Sequence, residues 1–188
     1  MNIKHLSTFL VTGTLALGAS SAMADSSDTA QFSFSCQVSG GIPTTVAQPT
    51  GSENTLPIFS WKQDILANRT PDTPQKLCDK VAAELQSYSA TGYDLSQISF
   101  VGTEQAGLPA ICATTAGKDC KKMLVTLKSV EQPSIVAQDV VSAILNPDLQ
   151  GNKTVFRDRG VQATSYQVNF WDLFGFGPSK STGKFNLR

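Results

Sequence analysis

FSFSCQVSGGIPTTVA, residues 32–47, alternates apolar and polar side chains, sets a cysteine on the apolar side, and turns on Gly40-Gly41 before a threonine pair. Phe32, Phe34, Cys36 and Val38 share one face and Ser33, Ser35 and Gln37 the other, which is the period of a half-buried strand. The Gly-Gly pair supplies a tight turn, and TTVA returns as a second strand. What Cys36 does in this hairpin, as reagent, metal ligand or cross-link, decides how the rest of the chain is read.

Four cysteines, Cys36, Cys78, Cys112 and Cys120, are spread through the chain. The first 24 residues carry Lys4, an apolar stretch from Phe9 to Gly18 and the small-residue end Ala22-Met23-Ala24, the three parts of a secretory signal cleaved after Ala24. That stretch is shorter than the roughly 20 residues that span a bilayer. An exported chain with an even number of cysteines is expected to form disulfides, because the compartment outside the cytoplasm is oxidising. No pair has CxxC spacing, which disfavours a thioredoxin-like centre and a thiolate zinc site. Cys112 and Cys120 flank the polar turn ATTAGKD and close a short loop with little rearrangement, which leaves Cys36 for Cys78. All four are therefore expected to be structural.

Removal of the leader leaves about 164 residues, enough for one domain with its own core. It also removes His5, the sole histidine, and leaves 14 basic against 15 acidic residues. Near-neutrality argues against a nucleic-acid coat. Without histidine, Ser-His-Asp and Cys-His nucleophile systems and His-containing zinc sites cannot be built in their usual form. No cofactor motif is present: AGKDCKK lacks the spacing of a phosphate-binding loop and reads as the solvated tip of a turn. Asp64, Asp72, Asp79, Glu84, Asp94 and Glu104 are scattered without a recognised acid/base pattern.

Beyond the hairpin, TLPIFSWK (55–62) reads as a third strand, with Pro57 marking an edge or a strand start. Residues 63–74 read as loop. Thr73 caps a helix whose first turn holds Pro74, and Leu77, Val81, Leu85 and Tyr88 draw its apolar stripe, with Cys78 beside it. QISFVGT, LPAICAT and KMLVTLK form a second set of strands. A second helix runs over 134–145, with Val136, Val140 and Ile144 on one face, and Pro147 stops it. The expected architecture is α+β: an antiparallel sheet of about six short strands with two helices on one face and two disulfides, spanning 31–147.

Residues 148–188 read as a basic, aromatic tail, with six basic against three acidic residues. Phe170, Trp171, Phe174 and Phe176 crowd together there, followed by lysines. Two readings are open: the aromatics pack back onto the domain, or they dip into a lipid headgroup region while the lysines meet anionic lipid.

The succession FSCQ, PTTVA, PIFSW, QKLCDKVAAELQ, GLPAICAT and DCKKMLVTL, closed by the amphipathic helix, resembles the circadian oscillating protein family of cyanobacteria over residues 32 to about 146. Leu77 stands before the second cysteine where that pattern leads one to expect a basic residue. The resemblance implies a protein of rhythmic abundance associated peripherally with a membrane, with no reaction, ligand or catalytic residue to carry over. The expectation is thus an exported, non-enzymatic protein, in periplasm, thylakoid lumen or outside the cell, that binds a partner protein or a membrane surface and no nucleic acid. The competing readings are a small-ligand or glycan binder with Trp61 and Tyr93 lining its pocket, and a hydrolase working through two carboxylates.

Overall fold

The computed structural model describes residues 32–91, 95, 98–115, 119–151, 153–158 and 161–174. The leader, Tyr93, Asp94 and Phe176 lie outside them.

The opening hairpin forms as its alternation requires. Strand β1 (Phe32–Ser39) pairs antiparallel with β2 (Ile42–Pro49), with Cys36 opposite Thr45 and Phe34 opposite Ala47. Gly40 and Gly41 both take positive φ, 57° and 80°, which an L side chain resists. Strand β3 (Leu56–Ser60) adds to the far side of β2, so Pro57 sits on an edge strand, where its missing N–H leaves no ladder position empty.

Helix α1 (Gln63–Leu66) is a single turn in the stretch expected to be loop, seated by the buried side chain of Leu66. Helix α2 (Pro74–Ala90) starts where the cap signal places it: the Thr73 hydroxyl accepts from the Lys76 N–H at 3.3 Å, and Pro74 occupies the first turn. Its stripe of Leu77, Val81, Leu85 and Tyr88 is buried against β1 and β2. Leu77, where a basic residue was expected, is fully enclosed, so an apolar side chain suits that position.

Strands β4 (Ile98–Gln105), β5 (Leu108–Thr114) and β6 (Lys122–Thr126) form an antiparallel run, and helix α3 (Pro133–Ile144) crosses it. Here the chain departs from the expected boundary at 147. Strands β7 (Lys153–Asp158) and β8 (Val161–Val168) join the same sheet, with Ile98 opposite Val168 and Phe100 opposite Tyr166. The domain therefore runs on to helix α4 (Phe170–Leu173) and Phe174, because β4 completes its hydrogen bonding with a strand from the stretch read as a tail.

The fold is α+β with antiparallel sheets and two disulfides, as expected. The strands are divided between two sheets, in the orders β1-β2-β3 and β6-β5-β4-β8-β7. One contiguous core lies between sheets and helices, with Phe59, Trp61, Phe100 and Phe170 at its centre. Phe59 and Phe100 meet edge to face at 4.8 Å and link the two sheets. A smaller cluster of Val101, Ala110 and Cys112 sits on the opposite face of the five-stranded sheet.

The two helices are fastened by different means. Helix α3 lies directly on the sheet at Gly102, where a Cβ would fall inside the backbone of Ala137 and Gln138. Helix α2 is bound to its strand by a covalent bridge.

Candidate functional site

Two places in the molecule draw together the residues singled out in the sequence. The first is the junction of β1, β2 and the start of α2. Cys36 and Cys78 are bridged across 42 residues, and Cys112 and Cys120 across 8. No cysteine is left free. Cys78, on the buried side of α2, is enclosed, whereas Cys36, on the edge strand, is half-buried.

A buried polar node lies beneath the bridge. The indole Nε1–H of Trp61 donates to Thr45 Oγ1 at 2.8 Å. The Thr45 hydroxyl in turn faces the carbonyl of Cys78 at 3.5 Å and its Sγ at 3.7 Å. Both Thr45 and Trp61 are closed to solvent, so the indole N–H depends on the Thr45 hydroxyl for its hydrogen bond. On the outer side, the amide Nε2 of Gln75 donates to Cys36 Sγ at 3.3 Å and to both carboxylate oxygens of Asp79, at 3.1 and 3.2 Å. The two sulfurs therefore face different surroundings, one interior and one solvated.

The far end of α2 treats the same edge strand differently. Gln86 Oε1 accepts from the Phe34 N–H at 2.8 Å, and Ser89 Oγ donates to the Phe32 carbonyl at 3.3 Å. Helix side chains thus take the place of a neighbouring strand on two outward groups of β1. A salt bridge between Lys122 Nζ and Glu84 Oε2, 2.7 Å, ties α2 to β6.

The second place is the corner where the chain leaves the sheet. Phe170 is fully buried, with its ring 5.5 Å from Phe32 and 6.0 Å from Phe34. Phe174 is half-buried, its ring 5.5 Å from that of Phe32. Of the four aromatics considered for membrane contact, Phe170 is withdrawn into the core and Phe174 is largely used in packing. The Trp171 side chain and Phe176 lie outside the described residues. Leu173, by contrast, is 43% exposed beside them.

Trp61 is 1% exposed with its N–H already bonded, so it offers no face on which a sugar could stack. Among the carboxylates, Asp64, Asp79 and Glu104 lie on the surface, Asp72 is half-buried, and Glu84 is engaged with Lys122. Among the described residues there is no grouping of three or more His, Cys, Asp or Glu side chains that could hold a metal ion, and no helix long and apolar enough to cross a membrane.

Sequence reasoning passed over Thr45, Gln86, Ser89 and Gly102. Gly102 carried the clearest signal, since a glycine inside a strand pattern often marks a close backbone approach. Gln86 and Ser89 lie off the apolar stripe of α2 and had no pattern to announce them.

No curated protein and no solved structure matches the chain. A family model, circadian oscillating protein COP23, matches residues 33–174. That span reaches past residue 146 to take in β7, β8 and α4, the elements that complete the larger sheet. The chain belongs to the circadian oscillating protein COP23 family.

Proposed function

We propose that the protein is an exported, non-enzymatic member of its family that associates peripherally with an anionic membrane surface. The observation that carries this reading is the corner at the end of α4. Leu173 is exposed there, and the chain continues into GFGPSKSTGKFNLR, residues 175–188, which holds Lys180, Lys184 and Arg188 and no acidic residue. Apolar side chains beside a short basic segment suit the headgroup region, where the apolar groups enter the boundary and the cations meet anionic lipid. The family resemblance points the same way. The lack of histidine beyond the leader and the dispersed carboxylates support a role without chemistry of its own.

Co-sedimentation with vesicles tests it. The exported form is expected to pellet with vesicles containing phosphatidylglycerol, less with purely zwitterionic ones, and less as salt rises. A variant ending at Phe174 retains Phe170 in the core and is expected to stay in the supernatant. Equal, negligible pelleting of both forms would overturn the reading. So would undiminished pelleting of the shortened one.

A further inference from the structure

We propose that the Cys36–Cys78 bridge is a site of thiol exchange at which Cys36 is the attacked sulfur and Cys78 the leaving one, so that Cys36 takes up a small monothiol as a mixed disulfide. The geometry separates the two roles. Exchange requires an incoming thiolate to reach a sulfur along the S–S axis, and access decides which sulfur is reached. Cys78 is enclosed by the core, whereas Cys36 lies half-exposed on an edge strand.

The surroundings then suit the electron flow. The incoming thiolate forms a bond to Cys36 Sγ as the Cys36–Cys78 bond breaks, and the electron pair passes to Cys78 Sγ. That sulfur becomes a thiolate beside the Thr45 hydroxyl, 3.7 Å away. The Trp61 N–H already occupies an acceptor site of that hydroxyl, so its single hydrogen points toward Cys78, where it is shared between the carbonyl at 3.5 Å and the sulfur and can shift toward the developing charge. A second monothiol attacking the adduct sulfur releases the oxidised dimer and the Cys36 thiol. In total, two thiols are oxidised as the bridge is reduced.

The rest of the helix limits what opening does. Gln86 and Ser89 still hold the Phe32–Phe34 end of β1, so the adduct forms in a folded molecule and loosens the Cys36 end alone. Asp79 opposes the reaction: its carboxylate shares the Gln75 amide with Cys36 Sγ and repels an anionic attacker.

Incubating the unreduced, exported form with excess glutathione, quenching with acid, alkylating and mapping peptides reads the position of the adduct. Glutathione is expected on Cys36 at least tenfold more than on Cys78, with alkylated Cys78 in the same molecules and circular dichroism unchanged. Replacing Asp79→Asn, at an exposed position, is expected to speed adduct formation about threefold at low salt, an advantage that shrinks at high salt. An adduct shared equally between the two cysteines, as attack on an unfolded chain would give, overturns the proposal. An adduct on Cys78, or on neither, also overturns it, and an Asp79→Asn rate that is unchanged or lower removes the assigned approach path.

Discussion

The α2 and α3 helices perform the same service, covering one face of a sheet, by opposite means. Helix α2 stands on β1 and β2 through side chains and is fixed by a bond between residues 42 apart. Helix α3 rests on β4 with its backbone at Gly102 and needs no cross-link. The difference follows from the strands beneath. Strand β1 is an edge with three polar residues, Ser33, Ser35 and Gln37, on its outer face, and its inner face alone contributes apolar area. Strand β4 is central, buried along its first five residues, and joined to neighbours on both sides. Where an element can bury enough surface, close packing suffices; where it cannot, a bond that restricts the unfolded chain adds what is missing.

Breaking each fastening in turn measures the contrast. The largest effect is expected for Gly102→Val. The atoms in the way are backbone, which cannot swing aside as a side chain can, so the strain exceeds the 1–3 kcal/mol usual for overpacking. The variant should show no cooperative thermal transition by near-ultraviolet circular dichroism. Next comes the double replacement Cys36→Ser with Cys78→Ser. On the chain-entropy model the long loop contributes about 4 kcal/mol, and urea unfolding should reveal a loss of that order, with the α3 side of the molecule no better preserved than the α2 side if unfolding is two-state.

Replacing Cys112→Ser with Cys120→Ser opens a short loop, closed in the native protein across a sequence separation of 8, and is expected to cost about 2.6 kcal/mol. A cost equal to or greater than that of the long bridge would show that native-state packing around Cys112, rather than loop length, sets its worth. The smallest change is expected for Glu84→Gln. Its pair with Lys122 is about one-third exposed on each side, so the unfolding free energy should fall by less than about 1 kcal/mol, and by less still in high salt.

Much of this arrangement is legible in the sequence alone, and the reasons are local. Helix α2 announced itself through a Thr-Pro cap and a stripe at spacings of three and four, both consequences of helical geometry that tertiary context reinforces. The cysteine pairing followed from one short polar loop and the elimination it allowed. The hairpin of β1 and β2 followed from alternation and a Gly-Gly turn. Strands β7 and β8 escaped because β8 does not alternate cleanly. Ser165 and Tyr166 are adjacent and both buried, since the two faces of the sheet are covered at that point, and a strand buried on both faces loses its period-2 signature. The surrounding lysines and arginines then suggested a solvated tail.

The aromatic run misled for a related reason. Phe170 and Phe174 stand in a stretch whose composition suits a membrane interface, yet composition does not tell which ring turns inward. Phe170 turned inward because Phe32 and Phe34, at the other end of the domain's sequence, present a ready apolar surface at the start of β1. Neither ring's fate could be read without knowing that the two ends of the domain meet. Function is less legible than fold, because the two proposals rest on an exposed leucine, a basic segment and unequal access to two sulfurs, none of which makes a motif.

The placing of β8 between β4 and β7 has a bearing on how the chain comes to be made. A ribosome issues β4 long before β8, so until nearly the whole polypeptide has emerged, β4 presents a bare flank to anything nearby. Any truncated translation product ending before Val161 keeps that flank open for good, and chaperones or proteases have a lasting handle by which to recognise it.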